Sequence, residues 1–354
     1  LTPLPDPTPE GFVDLLPSAD QLALVTGASE FFAEQSPVGA IREHRDEPSA
    51  IARKLWTAGA ELGLLGVSAA EDVGGLGLDL DDEVLLFREL GRHLVPGQFL
   101  ASVLGARLAT LAGRTDLARS IVTGEAQVGL AQRRSGDPGN GRPVQGTFDL
   151  FDTHETRYVL VVDPFGSGLL ETASFEDVSP VECIDPGTRL ATARTGGSVP
   201  LCWVPAGDEP LQSRGLVLAS AILVGIAEAT RDQAVEYAKT RVQFGRPIGV
   251  NQAVKHACVD MAVAAEAAWE QTLFAAISVR SGRADAQFQV LAAKVVAGRA
   301  AIDNAAANIQ VHGGMGYTYE HDAHLYLKRA HVVEQFFGST RDQLGGLLAQ
   351  GAAQ

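Results

Sequence analysis

Two short segments hold side chains suited to gripping a nucleotide. The first, RVQFGRPIG from Arg241 to Gly249, sets Arg241 and Phe244 around Gly245. A guanidinium presents paired donors to a phosphate, and an aromatic ring presents a flat apolar face to a base. The same segment also reads as an ordinary connection between two helices, with a cation on the preceding helix dipole. The second, QVHGGMGYT from Gln310 to Thr318, places Gln310 and Tyr317 around Gly313, Gly314 and Gly316. Such glycines either end a helix or let a ligand backbone come close.

Other chemistry has fewer parts in place. His321, His324 and His331 occur in EHDAHLYLKRAH, where His324 and His331 would share a helical face with Glu320. That spacing has no fourth ligand and no HExxH pattern, so no metal is expected. Cys183, Cys202 and Cys258 show no CxxC spacing, so neither a zinc ribbon nor a disulfide framework is indicated, and a reduced compartment fits best. No GxSxG, P-loop or strand-GxGxxG-helix pattern is present, so hydrolase, NTPase and nicotinamide readings lack their minimum parts.

The elements that must position these residues fall into three stretches. Residues 1–124 read as helices over Ser18–Ala33, Pro48–Leu65, Asp79–Leu94, Gly97–Ala112 and Leu117–Thr123. The third opens on acids and closes on Arg92 and His93, as a helix dipole favours. Residues 125–206 change to short β-prone runs, Ala126–Leu130, Arg157–Val162 and Val199–Val204, broken by SGDPGNGRP and ARTGGS. A small antiparallel β domain is expected there. Residues 207–354 return to long proline-free helical patterns over Gly215–Lys239, Asn251–Arg280 and Ala284–Val311, with a fourth helix near the C-terminus. They predict a four-helix bundle whose alanine-rich helices approach closely. The first half of Gly215–Lys239 is apolar almost all round, so it is buried within the bundle or between subunits.

Composition narrows the function classes. The chain has 354 residues, 46% hydrophobic and 20% charged, enough for two or three domains with real cores. A formal net charge of −15 repels phosphate backbones, which argues against nucleic acid as the main partner. No uninterrupted apolar run approaches the ~20 residues of a membrane span, and the N-terminal segment lacks the basic and apolar regions of a signal peptide. A cytoplasmic protein with no membrane partner is expected.

The order helical domain, β domain, helical bundle, with RVQFGRPIG and QVHGGMGYT in the bundle, resembles the acyl-CoA dehydrogenase family. LGLLGVSAAEDVGGLGL at Leu62–Leu78, FRELGRHL at Phe87–Leu94 and YTYEHDAHLYLKRA at Tyr317–Ala330 are similar to family segments in the same order, the last to actinobacterial members. The resemblance covers nearly the whole chain and implies an α+β fold of that type. It implies FAD at a subunit interface, with Arg241, Phe244, Gln252, Gln310, Gly313 and Gly314 holding the ADP portion of a neighbour's cofactor.

The resemblance also implies a TEPxxGSD-like run and a W-x-T facing the flavin. At those places this chain reads VGLAQRRSGDPG, Val128–Gly139, and YVLVV, Tyr158–Val162. The two positions where family members keep their base match Phe337 and Gly215, neither of which takes a proton. Contacts lent to a neighbour are kept and contacts for its own flavin are lacking. The pattern resembles the non-catalytic subunit of a heteromeric α2β2 acyl-CoA dehydrogenase, some of which act on sterol side-chain thioesters. The implied partners are an acyl-CoA, a homologous subunit bearing the catalytic glutamate, and an electron acceptor. Two other readings stay open: a self-sufficient enzyme using Glu334, Asp208 or Glu209 as base, or a non-enzymatic acyl-CoA-binding scaffold.

Overall fold

In the computed structural model, which describes residues 16–136, 142–207 and 211–350, six helices come first. They are α1 Ala19–Gln35, α2 Ala40–Glu43, α3 Arg53–Glu61, α4 Leu80–Arg92, α5 Phe99–Leu111 and α6 Thr115–Val122. The start of α1 is set by a reciprocal cap: the Gln21 N–H donates to Ser18 Oγ at 3.2 Å, and the Ser18 N–H donates to Gln21 Oε1 at 2.9 Å. The pattern over Pro48–Leu65 shrinks to the nine residues of α3. The Leu62 and Gly63 N–H groups close the final turns, and Gly63 then turns left-handed at φ 77°.

Seven strands follow: β1 Val128–Ser135, β2 Val144–Phe151, β3 Tyr158–Asp163, β4 Gly166–Glu171, β5 Glu176–Val181, β6 Leu190–Ser198 and β7 Cys202–Pro205. They form one sheet in the order β5-β6-β2-β1-β3-β4-β7. The sheet is mixed rather than antiparallel, because β1 and β3 pair in parallel from Val128↔Tyr158 to Ala131↔Val161. ARTGGS is no break. It lies inside β6, where Ala193 and Thr195 are buried opposite Phe148 and Gly146, and Gly197 at φ 120° serves the bulge that shifts register near Val144. Alternate side chains divide two cores: Val128, Leu130, Leu160 and Leu169 join the helices, while Phe148, Val159, Val161 and Leu170 form a core within the β domain.

The chain then forms α7 Leu211–Thr240, the hairpin strands β8 Val242–Gln243 and β9 Arg246–Pro247, α8 Gln252–Arg280, α9 Ala286–His312, α10 Ala323–Gln335 and α11 Thr340–Ala349. Helix α7 is long and apolar enough to cross a membrane, yet 94% of its apolar window is buried inside this chain. Its first half is therefore the centre of one subunit's fold, not a subunit-facing surface.

Helices α4 and α7 cross with their backbones in contact. A Cβ on Gly91 would lie 2.0 Å from the Ile222 carbonyl oxygen, and one on Gly225 would lie 2.0 Å from that of Arg88. Beside this crossing, buried Glu228 accepts from Arg88 Nε at 2.7 Å and Nη2 at 2.8 Å, and from Arg92 Nη1 at 3.0 Å. Charge is tolerated in this interior because it is paired and fully hydrogen-bonded.

Candidate functional site

The end of α7 and the end of α9 meet through a stacked pair. The rings of Tyr237 and His312 lie 4.2 Å apart at 27°. His312 donates from Nδ1 to the Asn308 carbonyl at 2.9 Å, and burial holds its imidazole below the ordinary value. One turn beyond Tyr237, the Arg241 N–H donates to the Tyr237 carbonyl at 2.8 Å; directly beyond His312 come Gly313 and Gly314. The two segments singled out in the sequence therefore share one end of the bundle. The sequence marked the glycines and the arginine but gave no sign that Tyr237 and His312 join them.

Within that end, Phe244 at φ 52° and Gly245 at φ 77° turn the β8–β9 hairpin, and the Phe244 ring is 99% exposed. Two left-handed central residues suit the tightest hairpin turn. Arg241, Gln252, Gln310, Gly313 and Gly314 are exposed as well. Among the described residues, the side chains of Arg241, Gln252 and Gln310 have no hydrogen-bonding or ion-pair partner. A Cβ on Gly313 or Gly314 would meet nothing within 4 Å. An open backbone, an unpaired guanidinium, two free amides and a bare aromatic ring fit the phosphates and base of a dinucleotide.

At the opposite end of α7 the two positions matched to family bases face each other. A Cβ on Gly215 would lie 2.9 Å from the Phe337 ring. Phe337 sits at φ 60° and Gly338 at φ 105°, in a turn closed by Gln343 Nε2 donating to the Phe337 carbonyl at 3.0 Å. Next to it, Phe336 packs edge-on against Phe151 with centroids 5.1 Å apart. Glu334 is buried, with Oε1 accepting from the Thr340 N–H and Oε2 from the Gln335 amide. Its backbone carbonyl accepts from Lys294 Nζ at 2.6 Å, and burial lowers that lysine to about 8. Asp208 and Glu209 lie outside the described residues.

On β1, where flavin contacts would be expected, Arg133 points into the β-domain core. Its Nε donates to Asp163 at 2.9 Å, and its guanidinium lies 4.7 Å from the centre of the Phe148 ring. Residues 137–139 of VGLAQRRSGDPG lie outside the described residues. Glu320 precedes α10, so it does not share a helical face with His324 and His331; His321 accepts from the Ala323 N–H at 3.1 Å and His324 bonds the Tyr319 carbonyl at 3.3 Å.

A cleft of about 630 Å³ that the sequence did not reveal opens beside Gly215. Arg107, Arg214, Arg280 and Arg283 line it, together with Ser68 and Ser213. The first turns of α4, α7 and α9 all border this cleft, and the four guanidiniums supply its positive charge. Acids temper it: Arg214 Nε donates to Glu83 at 2.9 Å, Arg280 to Asp81 at 2.8 Å and Arg283 to Asp285 at 2.9 Å. The arginines come from widely separated stretches, and only the bundle brings them together.

An N-terminal helical layer, a mixed sheet and a bundle of long helices, in that order along the chain, make the architecture of the acyl-CoA dehydrogenases. Residues 18–120 match the N-terminal domain of acyl-CoA dehydrogenases and residues 212–350 match the C-terminal domain. The chain belongs to the acyl-CoA dehydrogenase family, whose members are FAD-dependent oxidoreductases. It is 33% identical over 331 residues to the acyl-CoA dehydrogenase IpdE2 of Mycobacterium tuberculosis, covering 93% of this chain and 96% of the relative. It is 31% identical to IpdE2 of Mycolicibacterium smegmatis over 84% of this chain and 87% of that one. Among solved structures, a chain of the ChsE4-ChsE5 complex from Mycobacterium tuberculosis superposes with a TM-score of 0.85 at 24% identity, over 96% of this chain and 100% of that one. A chain of the Tcur3481-Tcur3483 steroid acyl-CoA dehydrogenase superposes at 0.83 with 25% identity, over 95% and 99%.

Proposed function

We propose that this chain is the non-catalytic subunit of a heteromeric acyl-CoA dehydrogenase. It lends Arg241, Phe244, Gln252, Gln310, Gly313 and Gly314 to the ADP portion of FAD bound mainly by a homologous partner, and that partner carries the catalytic glutamate. The packing of Phe337 on Gly215 carries the reading. Removing a proton next to a thioester needs a carboxylate held at the reacting carbon. Here an aromatic ring fills the space at both positions from which the family projects one.

The reaction of the assembled enzyme is α,β-desaturation of an acyl-CoA, for which bound FAD supplies the hydride acceptor and a separate acceptor later takes the electrons. This chain's residues move no proton in it. Arg241 neutralises phosphate charge, Gln252 and Gln310 offer amides to the nucleotide, and Phe244 covers its apolar face. The arginine-lined cleft beside Gly215 is where a CoA thioester finds cationic partners on this chain. Two fold neighbours solved as pairs of different chains, one described as a steroid enzyme, support a heteromer and a sterol side-chain thioester as the substrate class.

Of the three bases open to the self-sufficient alternative, Glu334 has both carboxylate oxygens already engaged, which weighs against it. Co-expression with a glutamate-bearing homologue, followed by mass measurement and flavin counting, tests the reading. A heterotetramer with two FAD per four chains is the expected result. A yellow, active homo-oligomer of this chain alone would overturn it, as would one FAD per chain in the complex.

A further inference from the structure

The segments that carry Arg241 and Gly313 each fold back on the helix they leave. A Cβ on Gly249 would lie 2.8 Å from the Ala238 carbonyl oxygen, so the stretch from Arg241 to Gly249 returns against the last turn of α7. A Cβ on Gly316 would lie 2.8 Å from the Ile309 carbonyl oxygen and 2.8 Å from His312 Cβ, so the turn Gly313–Tyr317 packs against the end of α9. Only glycine permits approaches this close. Each segment is thus placed by its own helix end, and the two keep a fixed relation only if α7 and α9 are joined there.

Three rings make that joint. His312 stacks on Tyr237 of α7 and also meets the ring of His321, with centroids 4.5 Å apart at 55°. His321 belongs to the stretch leading from the glycine turn into α10, and the Ala323 N–H donating to its Nδ1 ties it to the first residue of that helix. The Asn308 carbonyl can only accept, so His312 carries its proton on Nδ1, and burial holds it below the ordinary value. Near pH 7 it therefore stacks as a neutral ring. Tyr237, His312 and His321 all line an open cleft of about 470 Å³ instead of filling the interior. What they join is the end of α7, the end of α9 and the start of α10.

We propose that Tyr237, His312 and His321 are positioning residues: their stack fixes the Gly313–Gly314 backbone relative to Arg241, so that both reach the same bound nucleotide. The role rests on the ADP contact proposed above. It needs none of the three rings to touch the cofactor. Groups already held in their binding geometry lose less freedom when a ligand arrives, and affinity rises accordingly.

The test compares His312→Ala, His312→Phe and Arg241→Ala in two measurements. The first, on the full chain without partner or cofactor, is hydrogen exchange of the Gly313 and Thr318 amides, which donate to the Gln310 and Met315 carbonyls. Exchange at least about fivefold faster in His312→Ala is expected, the scale of one lost aromatic pair, with near wild-type exchange in His312→Phe, which keeps a stacking ring. The second is FAD affinity of the co-purified complex, expected to fall at least about fivefold with His312→Ala and to stay within about twofold of wild type with His312→Phe. Should His312→Ala fail to fold, Tyr237→Leu and the ring-keeping Tyr237→Phe take the places of the two His312 variants, with the same expectations. Unchanged exchange, or an equal loss in the ring-keeping and ring-removing variants, overturns the positioning role. Affinity lost with Arg241→Ala but kept with His312→Ala also overturns it, and leaves the phosphate contact standing. Exchange that follows the ring while neither variant weakens FAD overturns the phosphate contact, and the positioning role with it.

Discussion

The Phe337 ring lies directly against Gly215, so close that a single added carbon at position 215 would come within 2.9 Å of it. The two residues are linked: the glycine makes room for the ring, and the ring closes the space above the glycine. In an isolated helix, Gly→Ala favours folding by about 1 kcal/mol. Overpacking a filled site costs about 1–3 kcal/mol. Gly215→Ala is therefore expected to lower the denaturant midpoint, and to raise it in a Phe337→Gly background. Additive effects in the double variant would show that the contact is not formed.

Arg241→Ala is expected to leave the unfolding midpoint nearly unchanged, because the side chain is exposed and unpaired. In the co-purified complex, the same change should weaken FAD retention at least about tenfold, the usual scale for losing a hydrogen bond to a charged group. Full flavin content after gel filtration of the variant complex would refute the proposed phosphate contact.

Asp152 links stability to acid pH. Burial pushes its carboxyl from 3.8 up to about 6, so between those values the folded chain holds a proton that the unfolded chain has lost. Stability then falls as pH rises from about 4 to 6 and levels off above. Asp152→Asn, which can still accept from the Arg189 N–H, is expected to flatten this part of the profile. Urea titrations at closely spaced pH values measure it; an unchanged slope would place the effect elsewhere.

Lys294 has the opposite signature at alkaline pH. Burial brings its amine from 10.5 down to about 8, so between these values the unfolded chain binds the extra proton and stability rises with pH. Lys294→Met is expected to abolish that rise. The comparison is of unfolding midpoints for wild type and variant between about pH 8 and 10.5.

The long bundle helices and the glycine-rich motifs were legible in the sequence because each is a local pattern, a helical period or a run of unusual residues. Arg241, Phe244 and Gly313 could be found for the same reason. The sheet is less legible: the β-prone runs mark β1, β3 and β7, and Gly196 and Gly197 read as a loop although they lie in β6. Strand pairing depends on partners far along the chain, and glycine at a bulge looks like glycine at a turn. The Tyr237–His312 stack and the arginine cleft were invisible because each joins segments brought together only by packing.

The glycine crossing of α4 and α7 bears on how the molecule can be divided. Two backbones in contact cannot slide past each other, and a fragment lacking α7 would leave Gly91, Arg88 and Arg92 facing water where Ile222 and Glu228 had been. Amides of α4 and α7 should therefore exchange with solvent only through one shared opening, at a single free energy and with the same denaturant dependence. By that measure the helical start of the chain and its terminal bundle are one foldon interrupted by an inserted sheet, and a gene fragment ending near residue 120 would encode part of a cooperative unit.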